Sequence, residues 1–322
     1  MFGSIYNRIY DKVLYKFSLI FTAIYYIIFN GNAFENKIYF YLLLAFATSV
    51  GIAGIGYMFN DYIDFDDDVK NNKKNIFINK SKFQIIILAF IFLTFAINPW
   101  FFFPFTKITL SLISIEILLL FTYAFPPFRL KERPILGIVC DSLYAQVIPC
   151  MLACYTFYKI GTAFNYKIEI IIFYICWLFL LGIRNILLHQ IEDIKNDLNT
   201  KTRTFVTEYG ILFAKRIIKY IIFFEIIYFI LILYNLTEIR NILLLTYILY
   251  IFLLYSLNRN SFQFYNINQR ILNEFYEIHF PFLLLLLYTI QQPKFIYIFI
   301  FNIILLLPIY RRFAKGFLQK YF

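Results

Sequence analysis

Ten stretches of this chain each run for about 20 residues with almost no charge, and that repetition limits what the chain can become. A helix rises ~1.5 Å per residue, so about 20 apolar residues carry it across the hydrocarbon core of a bilayer. The runs fall near 13–31, 38–59, 83–100, 105–124, 135–157, 168–190, 214–234, 240–257, 274–291 and 295–310. Hydrophobic residues are 61% of the chain and charged residues 15%, where soluble domains hold roughly 45–50% and 25%. A soluble globule, a disordered chain and a collagen-like fibre are excluded. The expected fold is an all-α polytopic transmembrane bundle of nine to ten spans, ten by this count. The last two runs are parted only by Gln291, Gln292, Pro293 and Lys294. No repeat and no separate polar domain interrupts the chain, so residues 1–322 read as one integral-membrane domain.

Lysine and arginine set the expected orientation, because cytoplasmic loops carry the excess of both. With a cytoplasmic N-terminus and alternating spans, 22 of them fall on the cytoplasmic side. Six fall opposite: Lys37, Lys107, Lys159, Lys167, Arg240 and Lys294. The asymmetry predicts an even number of spans with both termini cytoplasmic. The net charge of +11 is then assigned to loops beside anionic membrane lipid, and not to nucleic acid. The four cysteines, Cys140, Cys150, Cys154 and Cys176, sit inside apolar runs at no zinc-binding spacing and read as small buried hydrophobes.

The acids are as unevenly placed. Five of 19 lie in Asp61–Asp68 and three in Glu192–Asp197, both at expected cytoplasmic span ends. In the first cluster, NDYIDFDDD, helical spacing puts Asn60, Asp61, Asp64 and Asp68 on one face and turns Asp66 and Asp67 away. Crowded carboxylates repel, and a divalent cation holds them ionised; hard oxygen ligands suit Mg²⁺. Such acids at a helix C-terminus also oppose its dipole, which a merely polar helix end would avoid. In the second cluster, Asp193 and Asp197 share a face, with His189 one turn earlier, either orienting a ligand or structural. A third stretch, TYAFPPFRLKERP, breaks its helix at Pro126 and Pro127 and then sets out Arg129, Lys131 and Arg133. These bases, and Lys201 and Arg203 after the second cluster, fit either lipid headgroups or the phosphates of a substrate.

Acids for Mg²⁺, bases for phosphate and a lipid-facing cavity for a greasy tail imply a polyprenyl diphosphate as ligand. Its diphosphate leaves only when its charge is neutralised, and an allylic cation remains that aromatic faces stabilise. Tyr123 is the aromatic residue expected there.

With these motifs in order, the chain resembles the UbiA family of intramembrane prenyltransferases. Asn60, Asp61, Asp64 and Asp68 match the family's NDxxDxxxD motif, and Asp193 and Asp197 its second DxxxD motif. YAFPPFRLK is similar to the family's loop of Tyr, Pro and a basic Leu-Lys pair, and Lys201 and Thr204 align with a Gly-x-x-Thr segment. The resemblance covers roughly residues 38–215. It implies a helical bundle, two Mg²⁺ ions (or Mn²⁺) bridging the diphosphate, and prenyl transfer to an acceptor it leaves unknown. It further implies metal ligation by the six Asn and Asp residues and diphosphate binding by Arg129, Lys131, Lys201 and Arg203. Asp61, Asp64, Lys131 and Tyr123 would act in the chemistry. The sequence departs from the family after the first motif, where Arg-Pro and a Ser-Gly step give way to KKNIFINKSK, and in lacking a glycine before Lys201. The same site admits variant chemistry: phosphoribosyl transfer to a polyprenyl phosphate, prenylation of glycerol phosphate, or terpene cyclisation. A non-catalytic transporter of cations or lipid phosphates is the alternative from another class. It would keep ionisable residues near the midplane, where only Glu116, Asp141, Arg184 and Glu225 qualify, whereas the acid pairs sit at span ends.

Overall fold

The computed structural model describes residues 14–31, 37–70, 75–161, 168–236, 239–257 and 269–321; the side chains of 14–16, 254–257, 269–271 and 312–321 are outside the description. The basic residues Arg8, Lys12, Lys73 and Lys74, and the side chains of Lys16, Arg312, Lys315 and Lys320, therefore lie outside the described residues.

Every apolar run forms helix. In chain order these are α1 (Leu14–Asn30), α2 (Ile38–Ile63), the short α3 (Phe65–Lys70), α4 (Lys82–Ile97) and α5 (Lys107–Ala124). A sixth helical rod joins α6 (Pro134–Ser142) to α7 (Ile148–Ile160) through a π turn at Leu143–Val147. Then come α8 (Ile168–Asn199), the short α9 (Phe205–Tyr209), α10 (Ile211–Asn235) and α11 (Arg240–Leu257). A second π turn, Phe275–His279, links α12 (Gln269–Glu274) to α13 (Phe280–Gln291), and α14 (Ile296–Tyr321) ends the chain. A proline lies two residues past the end of each π turn, Pro149 or Pro281. A widened turn absorbs the ring clash and the lost N–H that proline brings to a helix interior. Elsewhere side chains close the exposed first turns: Ser81 with Gln84 caps α4, and Thr106 with Thr109 caps α5.

Among the described residues, seven helices are long and apolar enough to cross a membrane: Ile38–Ile63, Lys82–Phe101, Lys107–Ala124, Pro134–Ile160, Ile168–Asn199, Ile211–Asn235 and Pro293–Arg311. Phe17–Asn30 and Arg240–Leu253 are apolar but shorter. The surface confirms lipid as the solvent. Helix α4 buries only Leu88 and Phe92, while its Phe83, Ile86 and Phe90 are 65–71% exposed. Water would not tolerate apolar surface so continuous. This is an integral membrane protein.

Lipid provides no hydrophobic drive between helices, so close contact depends on small residues and buried polar bonds. Gly51 of α2 sits against the α4 backbone; a Cβ there would lie 2.7 Å from the Phe92 carbonyl oxygen and would also meet the Ala96 nitrogen. Gly51→Ala is expected to push α2 from α4 and lower the melting temperature in detergent by several degrees, because backbone cannot yield as a flexible side chain can. Deeper in the bundle, Arg184 of α8 and Glu225 of α10 are fully buried. Arg184 Nε donates to Glu225 Oε1 at 2.7 Å and its Nη2 to Asn273 Oδ1 at 2.6 Å. Two of the four midplane ionisable residues thus neutralise each other and tie α8, α10 and α12 together.

Candidate active site

The first acidic motif closes α2. Its backbone keeps the helical bonding pattern across a one-residue interruption at Asp64. The Asp64 N–H donates to the Asn60 carbonyl at 2.9 Å and the Asp68 N–H to the Asp64 carbonyl at 2.8 Å. The shared face expected for Asn60, Asp61, Asp64 and Asp68 therefore survives into α3, and Asp66 is exposed. Asp61 is 3% exposed, and its Oδ2 accepts the Ile76 N–H at 2.5 Å. Asn75 Nδ2 donates to the Asp61 carbonyl at 2.7 Å and to Asp68 Oδ2 at 2.9 Å, while Asn75 Oδ1 accepts the Phe77 N–H. The turn of Asn75, Ile76 and Phe77 is thus a clamp on the acids. Sequence reasoning missed Asn75; an asparagine at a turn shortly after an acidic motif was the available signal.

Pro126 and Pro127 end α5, because proline supplies no N–H and disfavours helix in the residue before it. Arg129 then takes a left-handed conformation (φ 37°) and starts the turn Leu130–Glu132. That turn carries Lys131 to the end of α2, where its Nζ donates to both carboxylate oxygens of Asp64, at 2.5 Å to Oδ2. Arg129 Nη2 lies 3.5 Å from Asp64 Oδ1, and Arg129 Nε 2.8 Å from Glu132.

The second motif occupies the last turns of α8. Thr204 Oγ1 donates to Asp197 Oδ2 at 3.3 Å and caps α9 in a reciprocal pair with Thr207. Gln190 Oε1 accepts the Val206 N–H at 3.3 Å and docks α9 on α8. Lys201 is left-handed (φ 56°), a conformation glycine adopts without strain. Lys201 is exposed, and Arg203 forks onto Glu208 at 2.9 and 2.8 Å. Those hydrogen bonds hold the exposed Glu208 carboxyl below its usual range. The structure thus engages Arg203 within its own loop, and His189 faces outward from α8. The turn bearing Lys131 packs on α6, and α6 packs on both α8 and α9, so the two motifs lie at one end of the bundle.

A cavity of about 140 Å³ opens from Asn60 between α2, α5 and the rod of α6 and α7. Its wall is mostly apolar and runs along α2 from Ala45 to Asn60, with Glu116 and Tyr144 among its few polar groups. Tyr123 is not in that wall; it packs edge-on to Tyr144 at 5.0 Å, and Tyr144 donates to Asp141 at 2.6 Å. Tyr144 sits in the π turn, and its spacing in the sequence gave no sign of it.

Among the described residues, no three His, Cys, Asp or Glu side chains gather around one point. That donor set still suits Mg²⁺, which binds one or two carboxylates and takes its remaining oxygens from water and phosphate. Asn60 Oδ1 is buried without a hydrogen-bond partner beside the carboxylates and on the cavity wall, a hard oxygen available to a cation.

Among curated proteins none matches this sequence. Among solved structures, a UbiA homolog from Archaeoglobus fulgidus, determined bound to GPP and Mg²⁺, shares the fold with a TM-score of 0.54. It is 16% identical over 78% of this chain and 87% of its own. The description of the UbiA prenyltransferase family matches residues 18–270, most of the chain and both acidic motifs. This chain is a member of the UbiA prenyltransferase family.

Proposed function

We propose that this protein transfers a prenyl group from a prenyl diphosphate to an acceptor inside the membrane, with Mg²⁺. The observation that carries the reading is the unpartnered Asn60 oxygen, set between the Asp64–Lys131 pair and an apolar cavity. The archaeal homolog, which binds a prenyl diphosphate and Mg²⁺, supports it. Asn60, Asp61, Asp64, Asp68, Asp193 and Asp197 would hold the metal, two ions with both motifs engaged. Bound there, Mg²⁺ neutralises charge on the departing diphosphate.

The chain's own residues do the rest. Asn75 and the Ile76 N–H fix Asp61 and Asp68, so these acids need not reorganise when a ligand arrives. Lys131, already beside Asp64, donates to the diphosphate oxygen that receives the electron pair when the C1–O bond breaks, and Arg129 supports it. Lys201, exposed in the loop after α8, attracts the diphosphate, and Arg203 joins it only by leaving Glu208. Apolar walls exclude water from the allylic cation, and Tyr144, in the cavity wall and braced by Tyr123 behind it, presents aromatic surface to it. Purified protein in liposomes is expected to consume geranyl diphosphate with Mg²⁺ and to stop on chelation. No consumption of geranyl or longer prenyl diphosphates, with membrane lipid extract as acceptor source, would reject the reading.

The proposal includes ten spans in one domain, with the site and both termini cytoplasmic, on the strength of the 22-to-six Lys/Arg asymmetry. A reporter fused after Phe322 is expected to be active only in its cytoplasmic form. An extracytoplasmic signal would leave an odd number of spans.

A further inference from the structure

A carboxylate stands behind the cavity wall and is joined to the cavity by one phenol. Tyr144 lines the cavity, its hydroxyl donates to Asp141 Oδ1 at 2.6 Å, and Asp141 itself is not part of the wall. The π turn Leu143–Val147 carries Tyr144, and Asp141 precedes it by three residues, so one helical rod builds the pair. Helix register fixes its depth. Gly56 of α2 faces Leu120 of α5, Phe59 meets Phe125 at 5.2 Å, and Asp64 bonds Lys131. Residue numbers rise together on both sides, so α2 and α5 run parallel. Tyr123, three residues after Leu120, is then level with Phe59, the neighbour of Asn60. Tyr144 packs on Tyr123 with ring centroids 5.0 Å apart. The phenol therefore lies within about one helical turn, ~5 Å, of the depth of Asn60.

A diphosphate held at Asn60 and Asp64 puts its prenyl C1 at this depth, where the attacking atom must meet it. A neutral acceptor becomes cationic as its lone pair bonds C1, and a cation left in an apolar cavity is costly. Its proton has to leave, and a base has to stand there to take it. Tyr144 gives its one hydrogen to Asp141, which leaves its oxygen an acceptor toward the cavity. Resting on the prenyl-transfer reading, we propose that Tyr144 and Asp141 are the base for the acceptor: Tyr144 Oη takes the proton of the attacking X–H group as its own proton passes to Asp141. The step balances. The C1–O bond breaks with its pair going to the diphosphate, the X lone pair forms C1–X, the X–H bond breaks, and the proton ends on Asp141 Oδ1. The departing diphosphate carries that proton away and restores the carboxylate. Tyr144 is then the catalytic residue, and Asp141 positions it and makes its oxygen basic. Such a base serves only an acceptor that still holds its hydrogen. The acceptor class is therefore a neutral hydroxyl or amine compound, and not one that arrives already ionised at the attacking atom.

The experiment compares wild type, Tyr144→Phe, Asp141→Asn and the double variant in liposomes with geranyl or longer prenyl diphosphates and Mg²⁺. Phenol and p-nitrophenol serve as probe acceptors, at a pH where only the second is ionised. Transfer is read by mass spectrometry, and diphosphate release is read separately. Tyr144→Phe keeps the aromatic face, and Asp141→Asn keeps an oxygen for the Tyr144 hydroxyl, so both preserve shape. With phenol, kcat is expected to fall by about 100-fold in each single variant, the scale of general-base catalysis, with donor and acceptor KM little changed. With p-nitrophenolate, which has no proton to lose, the loss is expected to shrink to less than about threefold. The double variant is expected to lose no more than either single one, because the pair acts as a unit. The proposal is overturned by equal losses with both phenols, by no loss with phenol, by losses that multiply in the double variant, or by diphosphate release with neither phenol prenylated. Absence of diphosphate release in wild type would instead overturn the prenyl-transfer reading itself.

Discussion

Asp64→Asn is expected to lower turnover of a prenyl diphosphate by about 100-fold or more. The exchange preserves shape and removes charge. Asp64 stands where α2 gives way to α3, and its two oxygens are the acceptors for Lys131. A neutral amide cannot serve as a hard anionic ligand, and it binds an ammonium far more weakly than a carboxylate does. Removing one preorganised group that acts on developing charge costs about 3 kcal/mol of barrier, which is the stated factor. Asp66→Asn is the control. Asp66 is exposed on the far side of the same turn, and its variant is expected to stay within about twofold of wild type. Turnover at saturating Mg²⁺, with protein amount and melting temperature measured in the same membranes, decides the matter. Equal losses in both variants would mean that the helical face shared by Asn60, Asp61, Asp64 and Asp68 does not organise the site.

Lys131→Ala is expected to lower turnover almost as much, and Lys131→Arg to recover only part of it. If Lys131 served lipid headgroups, charge alone would suffice and arginine would replace it silently. In the structure it is partly buried and directed at one carboxylate from a turn set by Pro126, Pro127 and the left-handed Arg129. A compact ammonium fits that approach, whereas a planar guanidinium presents its donors as a wide fork. The Lys131→Arg variant is therefore expected to hold charge near the site in the wrong geometry and to lose kcat more than donor affinity. Full activity in Lys131→Ala would assign the loop to lipid anchoring and leave the leaving group to the metal alone.

Much of the site was legible because its parts are local. Asn60, Asp61, Asp64 and Asp68 are spaced by helical periodicity, and the backbone bonds from Asn60 to Asp68 keep that spacing despite the interruption at Asp64. Asp193 and Asp197 lie within α8 for the same reason. The bases were harder. Sequence proximity grouped Arg203 with the phosphate ligands, yet Glu208, five residues on, takes both arms of its guanidinium. A charge and its local partner compete on equal terms until a fold separates them, and here it does not.

The sequence alone determined that lipid is the solvent, where each helix lies, and which acids share a face. Each depends on residues within one or two helical turns, and an apolar segment in hydrocarbon must satisfy its backbone internally. Only the tertiary structure decided that Asn75 and Ile76 restrain Asp61 and Asp68, that Lys131 reaches Asp64 across 67 positions, and that Arg184 and Glu225 cancel each other. It also placed Glu116 in a cavity wall rather than at the lipid face, since helical periodicity is silent about which neighbour a face meets. In a membrane that choice falls to small residues such as Gly51 and to buried polar bonds, and their partners lie far away along the chain.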